Sequence, residues 1–174
     1  SLHPMKCLDQ KGFFEVLLAN EDDLFSYRFV SRRGEEDCEW GDPYAFRPTV
    51  SNDDLKGFNE GSERRPFLKL GSFPRIVDEV EGVSFVVWAP SARSVHLVGD
   101  FNGWNTHSLP MRSLGSSGCR ELFVPHARVG QKYKYRVLGV DGVLREKGDP
   151  FSFQCEPPPG NASIVCDRKG EGFS

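Results

Sequence analysis

Apolar and polar residues alternate along the second half of the chain, most clearly in Val83–Trp88 and again in Ser94–Val98. A period of two is typical of a β-strand that buries one face. Further strands are predicted in residues 120–124, 132–138 and 163–166, with turn sequences between them. Several short strands at this spacing predict an all-β, antiparallel β-sandwich, and Trp88, at the end of a strand, is expected in its core.

An internal repeat links the two halves of the chain. Four early segments are similar to segments a little over a hundred residues later: Pro4–Leu8 to Pro110–Leu114, Gly12–Val16 to Gly118–Leu122, Tyr27–Phe29 to Tyr135–Val137, and Gly41–Phe46 to Gly148–Phe153. The first two pairs share a constant offset of 106. Residues 82–109 have no counterpart before Pro4, so the first copy is predicted to be partial and stable only when packed on the second. Chance similarity between short hairpins is the alternative.

The repeat and the residues between its copies suggest a division of the chain. Ser51–Asp54 is typical of a capped helix start, and Arg64-Arg65-Pro66 leads out of that helix. The predicted parts are a partial N-terminal sandwich module in residues 1–48, a linker with a short helix in 49–75, a complete β-sandwich in 76–166 and a tail in 167–174.

Composition and charge exclude several classes of function. The 174 residues include 22 Lys and Arg against 25 Asp and Glu, a net charge of −3, which argues against a nucleic-acid partner. The five cysteines are an odd number without CxxC spacing, which favours reduced thiols over disulfides or zinc. No apolar run approaches the ~20 residues of a membrane span. We therefore expect a soluble, cytoplasmic protein with no membrane partner.

No catalytic, metal or cofactor site is nominated by the sequence. The four histidines, His3, His96, His107 and His126, lack a neighbouring nucleophile and an orienting carboxylate. No local motif marks the pair of carboxyl groups that glycoside chemistry requires.

The segment Gly99–Asn105 carries Trp104 among small polar residues. An indole on a turn offers a flat apolar face that suits the C–H face of a pyranose, while polar groups bond the hydroxyls. Lys134 and Asn161 are candidates for those polar contacts. The alternative is that Trp104 closes one end of the sandwich as part of the core.

A family resemblance is carried by blocks that occur in order: Gly82–Pro90, Ala92–Val95, Val98–Trp104, Pro110-Met111, Tyr133–Tyr135 and Asp149–Phe151. Over residues 76–166 they resemble the N-terminal region of 1,4-alpha-glucan (glycogen) branching enzymes, and residues 1–75 are similar, less strongly, to the preceding module of bacterial members. The resemblance implies immunoglobulin-like sandwiches of the starch- and glycogen-binding type. It also implies a downstream alpha-amylase-type barrel, which transfers an α-1,4-glucan segment to a 6-hydroxyl in glycogen biosynthesis. The catalytic Asp and Glu belong to that barrel, so we expect no branching activity from this chain alone.

Related glucan-binding modules use two stacking tryptophans, a lysine and a small polar residue near the last strand. Trp104 and Lys134 match the first tryptophan and the lysine, and Asn161–Ser163 matches the polar end. The second tryptophan position falls near Val143-Leu144, which has no aromatic residue, so weak binding is expected. The predicted carbohydrate-binding residues are Trp104, Asn102, Lys134, Leu144, Asn161 and Ser163. Trp40 is either an independent sugar contact or, more simply, filling for the partial module.

The sequence is also compatible with two other functions. One is a free-standing glycogen- or starch-binding adaptor module, and the other is the N-terminal module of a debranching or trehalose-releasing relative. The severed repeat argues against an adaptor, and the turn before Trp104 followed by Pro110-Met111 favours the branching enzymes. The expected partners are α-glucan, such as glycogen or a malto-oligosaccharide, the catalytic barrel, and a second copy of the chain through exposed apolar surface.

Overall fold

The computed structural model describes residues 2–9, 12–18, 27–34 and 36–167, without the side chains of Arg33, Glu36, Cys38, Trp40 and Asn52. The described strands are β1 Lys6–Asp9, β2 Phe13–Glu15, β3 Arg28–Arg33, β4 Glu36–Gly41, β5 Gly71–Val77, β6 Val80–Trp88, β7 Ala92–Gly99, β8 Arg112–Ser113, β9 Cys119–Pro125, β10 Lys132–Gly139, β11 Leu144–Lys147, β12 Gln154–Cys155 and β13 Ser163–Ile164. One α-helix, α1, spans Asn52–Asn59, and 3-10 turns span Pro43–Ala45, Pro66–Leu68 and Asp100–Asn102.

Strands β5 to β13 form two antiparallel sheets. The first has the order β5-β6-β9-β8, and the second has the order β11-β10-β13-β12 with β7 also paired to β10. The all-β sandwich predicted from the alternation is confirmed, and four of the five predicted strands lie within observed ones. The fifth, predicted at residues 163–166, is shorter and ends at Ile164.

The main core lies between the two sheets. It is formed by alternate residues of the central strands, which point to the same face of each sheet: Val83, Phe85 and Val87 of β6, Val95 and Leu97 of β7, Leu122 and Val124 of β9, and Tyr133 and Tyr135 of β10. The rings of Phe85 and Tyr133 meet edge to face with centroids 4.9 Å apart. The Tyr133 hydroxyl donates to Asp149 Oδ2 at 2.6 Å, which satisfies a polar group that the core buries.

A second, smaller core covers the outer face of the first sheet. In it, Val86 of β6 packs against Val50, Leu55 and Leu70 of the segment before β5, and against Leu114 and Cys119 of the β8–β9 hairpin. Helix α1 starts with the predicted capping box, in which Ser51 Oγ accepts from Asp54 N and Ser51 N donates to Asp54 Oδ2. The linker therefore packs on the sandwich. Its last residues, 71–75, belong to β5, because they pair with residues 82–86 of β6.

A buried carboxylate attaches the segment before α1 to the first sheet. Glu121 of β9 is fully buried, and its Oε1 accepts from Thr49 N at 3.2 Å and from Thr49 Oγ1 at 3.0 Å. Its Oε2 lies 3.3 Å from Arg112 Nε. Arg112 in turn donates to the carbonyls of Phe46 at 2.9 Å and Pro43 at 3.1 Å. We call Thr49, Arg112 and Glu121 the Glu121 clamp.

The two copies of the repeat have the same hairpin register. Lys6 of β1 pairs with Glu15 of β2, and Arg112 of β8 pairs with Glu121 of β9. The two residues of the first pair lie 106 positions before those of the second, the offset found in the sequence.

A second contact recurs at the later pair of repeat segments. Tyr27 donates its hydroxyl to Asp42 Oδ2, and Tyr135 donates to Asp149 Oδ2 at 3.3 Å. In both copies the other carboxylate oxygen accepts from a backbone N–H two residues later. Tyr44 N donates to Asp42 Oδ1, and Phe151 N donates to Asp149 Oδ1, each at 2.8 Å. Matching registers and matching contacts argue against chance similarity. The division into a partial and a complete module stays a prediction.

Candidate functional site

The turn after β7 is built around the side chain of Asn102. Its Oδ1 accepts from Gly99 N at 2.9 Å, and its Nδ2 faces three acceptors, Leu97 O at 3.3 Å, Asn105 O at 3.1 Å and Ser108 Oγ at 2.9 Å. A side-chain amide has two donor hydrogens, so these acceptors already engage Nδ2. Asn102 was predicted as a sugar contact, but its side chain holds the turn together through these hydrogen bonds.

Trp104 is held at the tip of this turn. Gly103 and Trp104 have φ of 58° and 59°, the left-handed conformation. The indole Nε1 donates to Asp100 Oδ1 at 2.9 Å, and Asp100 Oδ2 accepts from Lys132 N at 2.8 Å. Trp104 is 37% exposed, whereas Phe101 of the same turn packs against the core. Asp100 thus fixes the ring relative to β10 while the tryptophan stays accessible.

Asp100 is a functional candidate that the sequence analysis missed. The signal available was an acidic residue four positions before the tryptophan, with a turn-forming glycine between them. Nothing in that spacing reveals that the second carboxylate oxygen caps a distant strand.

Two lysines project from the outer face of β10. Lys132 and Lys134 alternate with the buried Tyr133 and Tyr135, so they point away from the core. Lys132 Nζ forms an ion pair with Glu156 Oε1 at 2.7 Å. The hydrogen bond between them raises the pKa of Lys132 and lowers the pKa of Glu156. Lys134 is half-buried two residues further along the same face.

The loop before β13 closes this end of the second sheet. Glu156 N donates to Ala162 O at 2.9 Å, and Glu156 Oε2 accepts from Ala162 N at 3.1 Å. Asn161, next to Ala162, is exposed. The turn, the start of β10 and this loop therefore bring Trp104, Lys134 and Asn161 to one end of the sheet. We call these three residues the Trp104 surface.

Two predicted sugar contacts lie elsewhere. Leu144 pairs with Leu138, four residues beyond Lys134 on β10, which at about 3.3 Å per residue is roughly 13 Å away. Ser163 pairs with Tyr133 and is fully buried, and its hydroxyl accepts from Asp149 N at 2.7 Å. The structure thus separates Leu144 from the Trp104 surface and places Ser163 beneath it.

The other two tryptophans differ from the expectations for them. The side chain of Trp40 lies outside the described residues. The expectation that Trp88 is in the core is wrong, because it is 51% exposed. Trp88 has the same parity along β6 as Ser84 and Val86, and therefore faces away from the main core.

Residues 2–9, 12–18, 27–34 and 36–167 contain neither a recognisable metal cluster nor a helix able to span a membrane. In that part of the chain no cluster of His, Cys, Asp and Glu side chains has the arrangement of a metal site. No helix there has the length and apolar character needed to cross a membrane.

Part of the chain matches a known family model. Residues 69–152 match the model of carbohydrate-binding module 48, the isoamylase N-terminal domain. The match contains the turn with Trp104 and the lysines of β10.

The whole chain is similar to one part of known branching enzymes. It is 41% identical over 173 residues to the 1,4-alpha-glucan branching enzyme GlgB of Nostoc sp., covering 99% of this chain and 22% of that enzyme. The corresponding enzyme of Frankia casuarinae is 50% identical over 129 residues, covering 71% of this chain and 16% of the enzyme. The chain thus spans about a fifth of the length of the enzymes it matches, and its predicted resemblance to their N-terminal region is confirmed.

Among solved structures, the pullulanase of Bacillus acidopullulyticus is 26% identical, with a TM-score of 0.46 over 57% of this chain and 12% of that chain.

Proposed function

We propose that this chain is a non-catalytic, α-glucan-binding part of a 1,4-alpha-glucan branching enzyme. The observation that carries the proposal is the indole of Trp104, which Asp100 fixes in place while more than a third of the residue stays exposed. The match of residues 69–152 to carbohydrate-binding module 48 and the branching-enzyme similarity support the choice of an α-glucan as ligand.

Binding is expected to be weak because the Trp104 surface has one aromatic platform. By analogy with base stacking, one such platform contributes about 1–3 kcal/mol. Hydrogen bonds from Lys134 and Asn161 to sugar hydroxyls add to this. The residues at the position of a second platform, Val143 and Leu144, are exposed but aliphatic. We therefore expect a Kd near 1 mM, which corresponds to about −4 kcal/mol.

Asn102 and Ser163 support this surface from below. Asn102 fixes the turn that carries Trp104, and Ser163 Oγ accepts from Asp149 N beneath the first residues of β10. Their substitution is expected to weaken glucan binding through loss of shape, accompanied by lower stability.

The test is a titration of the full chain with maltoheptaose, followed by backbone amide shifts. Trp104→Ala is expected to weaken binding by about 5- to 150-fold, the equivalent of 1–3 kcal/mol. Ile76→Ala is the matched control, because it removes an exposed apolar side chain from β5 of the other sheet, and it is expected to leave Kd within twofold. Equal affinity of the wild type and Trp104→Ala would refute the proposal, as would a folded chain that binds no sugar at tens of millimolar.

The proposal also covers the partners of the chain and its location in the cell. The transfer reaction is assigned to a catalytic barrel, which the chain would orient, and the purified chain is expected to form no α-1,6 links. A second copy of the chain is a further candidate partner, because apolar side chains such as Leu17 and Phe13 are 91% and 65% exposed. A cytoplasmic location fits the thiols of Cys7, Cys119 and Cys155, which are free in the described part of the chain.

A further inference from the structure

Trp88 presents an indole on the outer face of the first sheet. It is 51% exposed, and among the described residues its N–H has no hydrogen-bond acceptor. Phe58 of α1 stands almost perpendicular to it, at 79° and 5.8 Å between ring centroids. The helix therefore supports one side of the indole while half of the residue stays accessible.

A groove of about 880 Å³ opens beside this indole. The volume is within the range of small-molecule sites. Its walls are the end of α1, the turn after β6 and the β8–β9 hairpin, and its polar lining includes Asn59, Ser113, Ser116 and Arg120. We call this feature the Trp88 groove.

The hairpin is held close to the tryptophan. Ala89 N donates to Gly118 O at 2.8 Å, and Trp88 pairs with Cys119. Gly118 has φ of 73°, and a Cβ on it would lie 2.8 Å from Pro90 Cβ and 3.1 Å from Trp88 Nε1. A glycine is required at this contact, so the backbone of Gly118 itself forms the wall of the groove beside the indole.

The lining suits a neutral ligand with many hydroxyl groups. It combines an aromatic face with hydroxyl, amide and guanidinium groups, and no carboxylate lines it. Arg120 Nη2 donates to Ala92 O at 2.8 Å, which orients the guanidinium and leaves its other N–H groups as donors for a ligand hydroxyl. Sugars pair an apolar C–H face with hydroxyls, and they are the class that fits both halves of this lining.

We propose that the Trp88 groove is a second α-glucan site. This proposal takes its ligand class from the proposed function but uses none of the residues of the Trp104 surface. The two sites lie on the outer faces of different sheets, and β7, which runs from the turn after Trp88 to the turn before Trp104, alone spans roughly 25 Å at about 3.3 Å per residue. Two chains of one branched glucan can reach both sites, and the second contact then gains from a high effective concentration.

The test compares Trp88→Ala, Trp104→Ala and the double variant of the full chain. With maltoheptaose, amide shifts of residues 113–120 and the indole N–H signal of Trp88 are expected to move in the wild type and in Trp104→Ala. In Trp88→Ala the amides of residues 113–120 are expected not to respond to the sugar, whereas residues 99–105 should still shift. With glycogen, each single variant is expected to lose at least tenfold in affinity.

Ser116→Glu is the second variant, because Ser116 is exposed at the groove and its replacement leaves Trp88 and Phe58 in place. It is expected to weaken the shifts at residues 113–120 at least fivefold. The proposal is overturned if the groove residues do not respond to sugar in the folded wild type, or if Ser116→Glu leaves their response unchanged. Either result, with shifts retained around Trp104, would leave the proposed function intact and assign the groove to another occupant.

Discussion

The Glu121 clamp allows a quantitative prediction about stability. Glu121→Ala removes a fully buried carboxylate that accepts two hydrogen bonds from Thr49 and faces Arg112 at 3.3 Å. Burial lowers the pKa of the neighbouring Arg75, and the charge of Glu121 opposes that effect. Removing one partner of a buried ion pair leaves the other charge uncompensated, which costs about 3–5 kcal/mol.

That loss is large relative to the 5–15 kcal/mol that stabilises an ordinary domain. For a chain of this size, about 2–4 °C of Tm is lost per kcal/mol, so a decrease of about 6–20 °C is expected. Urea unfolding followed by circular dichroism gives the free energy, and amide exchange at Thr49 reports whether the segment before α1 is released. Glu146→Ala, at an exposed position on β11, is the control and is expected to change stability by less than about 0.5 kcal/mol. A loss below 1 kcal/mol in Glu121→Ala would refute the clamp.

Two other predictions concern single carboxylates. Asp100→Ala removes the acceptor of Trp104 Nε1 and of Lys132 N, so it is expected to weaken maltoheptaose binding about 3- to 10-fold, whereas Asp100→Asn, which keeps an acceptor for the indole, should lose less. The hydrogen bonds from Arg145, together with one from Val143 N, lower the pKa of Asp141 to about 2. Because the folded-state pKa is below the unfolded one, this stabilisation is present above about pH 4 and is lost as the pH falls through about 2. Arg145→Ala should return the pKa of Asp141 towards 3.8 in an NMR titration, and an unchanged value would contradict the assignment.

Strand positions were predictable because the alternation along β6, β7 and β10 reflects a real difference between two faces. The sequence also contained the repeat, and the equal registers of Lys6 with Glu15 and Arg112 with Glu121 show that it has a structural basis. The capping box at Ser51 and Asp54 was also predictable, because a helix start depends only on residues close together in the sequence.

Other features depended on contacts between distant segments. Residues 82–87 of β6 are buried on both faces, because α1 and the segment around it cover the outer one, and alternation within a strand does not reveal that cover. Trp88 was assigned to the core from its residue type, although its parity with Ser84 and Val86 already indicated the outer face. Ser163 was predicted as a contact from the family resemblance and Asn102 from its place beside Trp104, but the hydrogen bonds that engage them come from Asp149 and from the turn itself.

The proposed function depends on the binding of α-glucan through Trp104. The most direct measurement is the amide-shift titration of the wild-type chain with maltoheptaose beside Trp104→Ala. Saturable shifts with a Kd near 1 mM are expected in residues 99–105, 132–134 and 156–162, and most of that response is expected to be lost in the variant. Shifts at these residues that persist with equal affinity in a folded Trp104→Ala chain would contradict it.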